Sequence, residues 1–332
     1  MVTRTIIWTL ARQPYKRDNV SAAESTSIPM ACWNAWDLLL NVRGIGWNWS
    51  QGIPIRRLSL HLQSRPRFLL FAITRFAFFW VMFDASMETL RAQFSAPNLR
   101  DMHTIFDHSL PPIPRYIRTL QSVYLVLWVT YFGVEGVYQL YSVILVILLW
   151  QSPSQWPPLF DKPWSSTSLS DLWGRRWHQM LRHSAVSLGG APLACFLGRP
   201  GYVLGTFLFS GAAHCIPFFA YKHRGNPVLE CGFFVMNAVG ILLERAWSKA
   251  RGRRVGGVCG WIWTFLWVTI WAVPMVDQWA KTGRFGMGAA LGHFRPMSLL
   301  SLVLPTTTDK GFVVTCLSFG VTVLFLVYTS LY

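Results

Sequence analysis

Long apolar segments alternate along the chain with short connections that are rich in charged residues. Five of these segments are about as long as one bilayer-spanning helix, which takes about 20 residues. They cover residues 68–87, 202–221, 228–247, 258–279 and 312–332. Their length and composition predict membrane-spanning α-helices.

The apolar run over residues 116–150 is too long for one span. Glu135 and Gly136 lie in its middle, and we expect two helices joined there by a tight turn. A further apolar segment at residues 298–304 is too short to span. The pattern as a whole predicts an all-α fold, a polytopic transmembrane helical bundle of about seven spans.

The N-terminal part of the chain follows a different pattern. Residues 1–28 are polar and rich in serine after the first turn, and we expect a polar, poorly ordered tail. Residues 30–40 are apolar but too short to span, which is typical of an interfacial helix. Because no polar linker divides the later apolar segments, we expect residues 29–332 to form a single membrane-embedded domain.

Two glycines interrupt the apolar pattern in the sequence RGIGWNW, residues 43–49. Gly44 and Gly46 break a helix, and the tryptophans beside them belong to a residue type that gathers at the headgroup level of a membrane. We therefore expect a turn at the membrane surface, with Arg43 facing anions.

Composition strengthens the membrane assignment. The 332 residues are 52% hydrophobic and 13% charged, against about 25% charged in soluble domains. The formal net charge of +16 comes from 30 Lys and Arg residues scattered between apolar runs, which favours anionic headgroups or an anionic cosubstrate over nucleic acid as partners. The six cysteines show no CxxC or CxxH spacing, so we expect neither disulfides nor a metal site.

A dense charged and aromatic segment, residues 168–183, follows a proline-rich loop. A helix that starts at Ser168 or Ser170 would be amphipathic here. One face carries Trp173, Trp177, Met180 and Leu181, and the opposite face carries Asp171, Arg175, His178 and Arg182. Two interpretations stand side by side: an interfacial helix that binds lipid headgroups, or a polar wall with His178 directed at an anionic substrate.

His214 lies well inside the apolar segment 202–221, where a polar ring costs free energy unless it is satisfied or used. At helical spacing Phe207, Ser210 and Gly211 share its face. A histidine in a dry site with small residues beside it can remove a proton from a hydroxyl near neutral pH. The alternative is a histidine that hydrogen-bonds a neighbouring helix and serves packing alone.

A polar stripe recurs every seven residues in the next span, at Glu230, Asn237 and Glu244. Within a membrane such side chains face protein or water. The stripe orients His214, lines a substrate path, or supports the structure through pairs such as Glu244 with a basic residue. We favour structural support.

Three motifs keep the order and spacing of a known family: RGIGWNW at 43–49, LSDLWGRRWHQMLRH at 169–183 and FLFSGAAH at 207–214. Together they resemble the wax-synthase-like branch of the membrane-bound O-acyltransferases. Within it they are most similar to fungal members that acetylate terpenoid or meroterpenoid alcohols. The resemblance covers residue 30 onward, and WGRRWH is its specific part.

The resemblance implies an all-helical fold around a tunnel, with acyl-CoA, here acetyl-CoA, as a cosubstrate and no metal or permanently bound cofactor. The family's buried catalytic histidine corresponds to His214, and its second polar position corresponds to His178. Phosphates of coenzyme A suit guanidinium groups, and we assign this contact to Arg175, Arg176 and Arg182. The remaining assignments are substrate binding for Trp173, Trp177 and Ser210, and support for Asn237 and Asp171.

We therefore expect an acyl-CoA:alcohol O-acyltransferase of fungal secondary metabolism in which His214 is the general base. His178, Ser210 or a backbone N–H would stabilise the oxyanion. We expect a multi-pass protein of the endoplasmic reticulum, with lipid, acyl-CoA and a terpenoid-like alcohol as partners.

Three alternatives remain beside this hypothesis. A non-enzymatic transporter or scaffold would use the polar stripe and Arg75 as a solute path, although no inverted repeat supports it. A membrane terpene cyclase would rely on Glu230 and Glu244, and a long-chain wax-ester synthase would use longer acyl donors. Consumption of acyl-CoA separates the acyltransferases from the other two.

Overall fold

The computed structural model describes residues 2–11, 13–18, 28–41, 43–50, 54, 56–93, 104–220 and 225–282. These ranges hold helices and loops, together with one isolated β-bridge between Arg17 and Trp47. The apolar segments predicted at 298–304 and 312–332 lie outside them.

Seven helical segments of eight or more residues occur in the described ranges. They are α1 (Val2–Thr9), α2 (Ile28–Leu40), α3 (Arg65–Gln93), α4 (Pro112–Leu148), α5 (Ala191–Ala220), α6 (Pro227–Arg251) and α7 (Gly257–Lys281). One of them, α5, joins two helical arms at Gly198. By length and composition five described stretches are able to cross a membrane: Arg65–Leu90, Pro112–Leu148, Arg182–Ile216, Pro227–Arg251 and Gly257–Lys281. The all-helical class is confirmed, whereas the count of about seven spans stays a prediction.

The chain is organised in two compact units, each built from segments that are distant in sequence. The first unit comprises Met1–Leu58, Ser154–Ile216 and Glu230–Thr264, and the second comprises Ser59–Pro153, Pro217–Leu229 and Phe265–Tyr332. Both candidate histidines belong to the first unit. The single domain expected over residues 29–332 stays a prediction.

In the second unit α4 is one continuous helix of 37 residues, so the turn expected at Glu135 and Gly136 is wrong. Arg75 of α3 donates to Glu135 Oε1 at 2.9 Å, and Gln139 donates to the same oxygen at 3.0 Å. Because the carboxylate is paired and hydrogen-bonded where it stands, the chain does not have to turn at the membrane surface to satisfy it. Gly136 faces Phe79 of α3 instead.

Within the predicted tail over residues 1–28, Val2–Thr9 form a helix, so the expected poor order is wrong for these residues. The Arg4 guanidinium donates to the carbonyls of Leu38, Leu39 (3.1 Å) and Asn41 (2.6 Å). These carbonyls lie at the C-terminal end of α2, where a helix leaves acceptors without internal partners. A cation also suits the negative end of the helix dipole. The arginine therefore fixes α1 against α2.

The predicted turn at residues 43–49 is present, with Gly44 at φ 66° and Gly46 at φ 80°. A side chain at Gly44 would overlap the Trp49 ring, so this position requires glycine. The expectation that Arg43 faces anions is wrong: its side chain is buried and donates to the carbonyls of Pro157 (2.9 Å) and Pro158 (3.1 Å). Pro157 and Pro158 lie outside any helix, so their carbonyls are not occupied by the N–H groups of a helix ladder and can accept from the guanidinium.

The stretch Arg182–Ile216 reverses direction at Gly198, whose φ of 59° and ψ of −141° are not helical. Glycines then bring its two arms together. A Cβ added at Gly189 would overlap the carbonyl of Gly205, one at Gly205 would overlap that of Gly189, and one at Gly201 would overlap that of Leu193. These pairs run antiparallel about Gly198, so the arms form a hairpin, and His214 lies on the second arm.

Candidate functional site

The segment predicted as one amphipathic helix over residues 168–183 is broken into turns. Ser168 caps its start, as predicted, because its Oγ accepts from the Asp171 N–H at 3.0 Å. A short α-turn, Leu169–Asp171, leads into a π-turn, Leu172–Arg176, and the backbone becomes extended at Trp177. We call Leu169–Arg176 the WGRR turn.

Side chains replace the hydrogen bonds that a continued helix would have made. Gln179 Nε2 donates to the carbonyls of Trp177 (2.7 Å) and Trp173 (3.2 Å), and Arg182 Nη1 donates to that of Gly174 (2.7 Å). With these acceptors satisfied, the chain leaves the helix at Trp177. The predicted polar face that joined Asp171, Arg175, His178 and Arg182 is therefore wrong as a geometric grouping, since a break precedes the last two.

Asp171 holds two of the predicted arginines. Its Oδ1 accepts from Arg175 at 2.8 Å and its Oδ2 accepts from Arg176 Nε at 2.5 Å. Burial acts to raise the pKa of Asp171, but the hydrogen bonds from Arg176 and Arg175 outweigh it and keep that pKa below its usual value. Arg176 also donates to the carbonyls of Asp161 (3.1 Å) and Lys162 (3.2 Å).

The three arginines therefore differ in how much of the side chain a ligand can reach. Arg175 is 50% exposed and Arg176 is 17% exposed. Arg182 donates to Gly174 and to Gln179 Oε1 (2.8 Å), inside the turn. Their assignment to coenzyme A stays a prediction, and exposure favours Arg175 among them.

Glu244 of α6 anchors the start of the WGRR turn. Its carboxylate accepts from the N–H of Leu169 (2.6 Å), the N–H of Ser170 (3.0 Å), the Ser170 hydroxyl (2.7 Å) and the Trp263 indole (3.1 Å). A carboxylate at the first N–H groups of a turn satisfies donors that have no partner within it. These contacts give Glu244 the structural role that the sequence favoured for the stripe.

His214 is oriented by its own helix. Its Nδ1 lies 2.7 Å from the carbonyl oxygen of Ser210, one turn earlier. Because a carbonyl only accepts, Nδ1 carries the proton, and in the neutral ring the lone pair lies on Nε2. The Phe234 ring of α6 packs against the imidazole with centroids 4.5 Å apart. This arrangement presents a basic nitrogen in an apolar setting.

Close packing of α5 on α6 makes that contact possible. A Cβ added at Gly211 would lie 3.0 Å from the Cys231 Cα, and the thiols of Cys215 and Cys231 are 3.7 Å apart. Gly211, which the sequence pattern places beside His214, thus allows α6 to pack closely against α5. Ser210 Oγ donates to the Thr206 carbonyl at 3.1 Å, so its hydroxyl proton is engaged within α5.

His178 follows the WGRR turn and packs against the rings of Phe160 (5.7 Å) and Trp177 (5.6 Å). Its Nδ1 is buried and has no hydrogen-bond partner among the described residues. Burial, together with nearby His214 and Arg43, lowers the pKa of His178 to about 4. The ring is therefore neutral at pH 7, with an enclosed polar atom that a ligand would satisfy.

Asn237, from the same stripe as Glu244, is fully buried beneath this region. Its Oδ1 accepts from the Trp173 indole N–H at 2.9 Å, and its Nδ2 donates to the Phe233 carbonyl at 2.8 Å. The Trp173 ring contacts Phe207 and Phe233 edge to face. The predicted residues Trp173, Ser210, His214 and Asn237 thus come from three elements of one unit.

Phe160, Phe233 and Phe234 border this site, and no sequence pattern marked them. Phe160 lies in the proline-rich loop, and the two phenylalanines of α6 resemble any other apolar residues of a span. Of the phenylalanines at this site, only Phe207 was marked by the sequence, because it lies at helical spacing from His214.

Comparison with known proteins confirms the resemblance to the membrane-bound O-acyltransferases. Residues 156–236 match the Membrane bound O-acyl transferase family. That range contains the later part of the proline-rich loop, the WGRR turn, His178 and His214. An O-acyltransferase that is embedded in a membrane is the class of enzyme these findings support.

Individual relatives point to the same class. The chain is 28% identical over 155 residues to an acetyltransferase of Calcarisporium arbuscula, covering 42% of this chain and 37% of that protein. It is 26% identical over 287 residues to an acetyltransferase of Rhodocybe pseudopiperita, covering 82% and 72%. A probable long-chain-alcohol O-fatty-acyltransferase of Arabidopsis thaliana is 42% identical over 94 residues, covering 25% and 26%. The chain thus spans between about a quarter and three quarters of the length of these relatives.

Proposed function

We propose that the protein is an acyl-CoA:alcohol O-acyltransferase in which His214 is the general base. The observation that carries the proposal is the hydrogen bond from His214 Nδ1 to the Ser210 carbonyl, because it places the ring proton on Nδ1 and so makes Nε2 the basic nitrogen of the neutral imidazole. The family match over residues 156–236 includes this histidine and supports the reaction class.

The reaction proceeds by proton removal and acyl transfer. Nε2 of His214 takes the proton of the acceptor hydroxyl, and the hydroxyl oxygen attacks the thioester carbonyl carbon. The tetrahedral intermediate collapses as the carbon–sulfur bond breaks. The departing thiolate takes the proton from the imidazolium of His214, which yields the ester and free coenzyme A.

His178 is the best candidate to stabilise the oxyanion of the intermediate. Its ring is neutral at pH 7, and its buried Nδ1 has no partner among the described residues, so a proton carried there would be donated to a substrate oxygen. A preorganised donor in a dry site stabilises developing charge strongly. Ser210 serves this role less well, since its hydroxyl already donates to Thr206.

We assign the contact with coenzyme A phosphates first to Arg175, whose guanidinium is half exposed. Asp171 holds that guanidinium at 2.8 Å, which orients it at little cost in side-chain entropy on binding. Arg176 and Arg182 contribute positive charge and hold the turn on which Arg175 is carried.

We propose acetyl-CoA as the donor and an alcohol of terpenoid type as the acceptor, in the endoplasmic reticulum membrane. The fungal acetyltransferases among the relatives and the motif resemblance support this choice. A long-chain wax-ester synthase is the second candidate, because the local identity to the plant long-chain-alcohol O-fatty-acyltransferase is higher, at 42%.

The test uses membranes that contain the protein, its His214→Ala variant or a His108→Ala variant at matched expression. His108 is an exposed loop histidine outside the first unit and serves as the control. Each sample receives labelled acetyl-CoA with a panel of terpenoid alcohols, or labelled palmitoyl-CoA with a long-chain alcohol. Ester is measured after extraction.

The proposal predicts acetyl ester from the parent and from His108→Ala, and none above background from His214→Ala. Ester formed equally by all three would remove His214 from the chemistry. Ester formed only with palmitoyl-CoA would replace the acetyl assignment with the wax-ester one. No ester with either donor would overturn the acyltransferase proposal.

A further inference from the structure

The two histidines of the candidate site are joined by a continuous series of aromatic contacts within the first unit. Neighbouring ring centroids are 4.5 to 5.8 Å apart except for one pair at 6.1 Å. In order, the rings are His178, Trp177, Trp173, Phe233, Phe234 and His214. We call this series the aromatic bridge.

Trp173 is the ring of the bridge where two separate segments meet. It belongs to the WGRR turn, whereas Phe233, which it contacts, belongs to α6. It also contacts Phe207, two turns before His214 on α5. Edge-to-face contacts between rings are weakly directional, worth about 0.5–1.5 kcal/mol each. Ring contacts alone therefore fix the orientation of the indole only weakly.

One hydrogen bond fixes the position of the Trp173 indole. The Trp173 indole N–H donates to Asn237 Oδ1 at 2.9 Å, and the Asn237 amide is itself held by the Phe233 carbonyl at 2.8 Å. Asn237 is fully buried, so loss of either partner would leave a polar group unsatisfied in an apolar environment. The bond joins α6 to the turn at the residue where the bridge crosses between them.

We infer that Asn237 is a positioning residue: through its hydrogen bond to Trp173 it fixes the WGRR turn against α6 and so sets the placement of His178 relative to His214. The inference rests on the proposed function, in which both histidines act on one substrate. The hydrogen bonds of Asn237 go to Trp173 and Phe233 rather than to either histidine, and its effect passes through the aromatic bridge.

A double-mutant cycle tests the inference, with Asn237→Leu, Trp173→Phe and the combination of both. Leucine matches asparagine in size without an acceptor, and phenylalanine keeps a ring without the N–H. The control is Trp263→Phe, which removes an indole N–H donated at 3.1 Å to Glu244 in the same unit but outside the bridge. Glu244 keeps its contacts with Leu169 and Ser170 in that variant.

We expect Asn237→Leu to lower kcat about tenfold per folded molecule, as the loss of one buried hydrogen bond implies. The KM for acyl-CoA should stay within about twofold, since the cosubstrate contacts are unchanged. The double variant should be no slower than Trp173→Phe alone, because the second change removes nothing further. Trp263→Phe should retain the parent kcat.

A purely structural role for Asn237 would lower the amount of folded protein and leave kcat per folded molecule unchanged, which would overturn the inference. Multiplication of the two single effects in the double variant would overturn it as well, since the residues would then act independently.

A second measurement does not depend on ester formation. Diethyl pyrocarbonate acylates neutral imidazole, and the modification rate of His178 and His214 is followed by peptide mass spectrometry. We expect Asn237→Leu to change the rate of at least one of them severalfold, with Trp263→Phe equal to the parent. If no variant forms ester, the proposed function fails, and equal modification rates in Asn237→Leu and the parent would overturn the inference separately.

Discussion

At the scale of single residues, the neutral ring of His178 has a consequence for stability. Burial lowers its pKa from 6.5 to about 4, with His214 and Arg43 adding to the effect. The unfolded chain then binds a proton between these values that the folded protein does not. The stability contributed by the neutral ring is therefore complete above about pH 6.5 and falls as the pH drops toward 4.

His178→Gln should remove this dependence. When the pH falls from 7.5 to 5, we expect the parent to lose about 2 kcal/mol more of its stability than the variant loses. This difference does not depend on the stability of either protein at pH 7.5. The measurement is the unfolding midpoint in detergent at both pH values, with the exposed His108→Gln as a control. A parent and a His178→Gln variant that lose stability equally would show that the ring is protonated when folded.

The arginines of the WGRR turn separate ligand contact from support. Arg175→Ala should raise the KM for acyl-CoA about fivefold, as the loss of one exposed charge-assisted contact implies. Arg176→Ala should leave that KM within about twofold and lower the unfolding midpoint, because Arg176 holds Asp171 and the carbonyls of Asp161 and Lys162. Steady-state kinetics and thermal unfolding on the same preparations distinguish the two. A KM effect confined to Arg176→Ala would reverse the assignment.

The sequence indicated some of the residues that form the site, but it did not indicate which residues surround them. His214 stood out because a polar ring is unusual inside an apolar span, and Gly211 stood out because it shares the face of His214 at helical spacing. Phe234, which packs on His214, did not stand out, since its position depends on how α6 meets α5. Arg43 was misassigned because one-dimensional patterning does not show that proline carbonyls lie within its reach.

At the scale of elements, the hairpin of Arg182–Ile216 depends on glycine contacts between its arms. Gly205→Ala places a Cβ against the Gly189 carbonyl, so the arms must separate, at a cost of about 1–3 kcal/mol. Gly232→Ala in α6 meets nothing within 4 Å and should be neutral or stabilising by up to about 1 kcal/mol. Unfolding midpoints in detergent compare the two. Equal effects would mean that the arms are not in contact.

The ion pair between α3 and α4 gives a second prediction at this scale. Arg75→Leu leaves the buried Glu135 carboxylate without its cation, which should cost about 3 kcal/mol or more. The double variant Arg75→Leu, Glu135→Leu removes both charges, and we expect it to recover most of that loss. Thermal unfolding of the two variants measures the difference. A double variant as unstable as the single one would show that Glu135 matters for another reason.

The sequence predicted which segments are helical, but it predicted only some of the positions at which the helices end or break. Apolar length predicted α3, α6 and α7, and the Ser168 cap was among the two candidates named. One predicted break was wrong, and another break was missed. Glu135 and Gly136 suggested a turn in α4 that the Arg75 pair makes unnecessary, whereas the break at Trp177 depends on side-chain bonds from Gln179 and Arg182 that periodicity does not encode.

At the scale of the whole molecule, each compact unit combines segments that are far apart in the chain. Patterning predicts that a segment is a buried helix, but one apolar face resembles another and does not specify its neighbour. The sequence therefore supported a helical membrane protein and left the grouping of its helices open. The site shows the same limit, since α6 contributes Asn237 and Phe234 from outside the motifs that marked the two histidines.

The mode of membrane attachment is the prediction that belongs to this scale. A chain with a net charge of +16 would also adhere to anionic lipid through electrostatics alone, an attraction that salt screens within about 10 Å at 0.1 M. Four apolar helices long enough to cross the bilayer, and the apolar hairpin Arg182–Ile216, all among the described residues, predict insertion instead. We expect the protein to stay in the membrane pellet after washes with 1 M salt and with alkaline carbonate, and to dissolve only in detergent. Release by salt would mean that the basic residues, rather than the apolar helices, hold it at the surface, and the buried setting proposed for His214 would lose its physical basis.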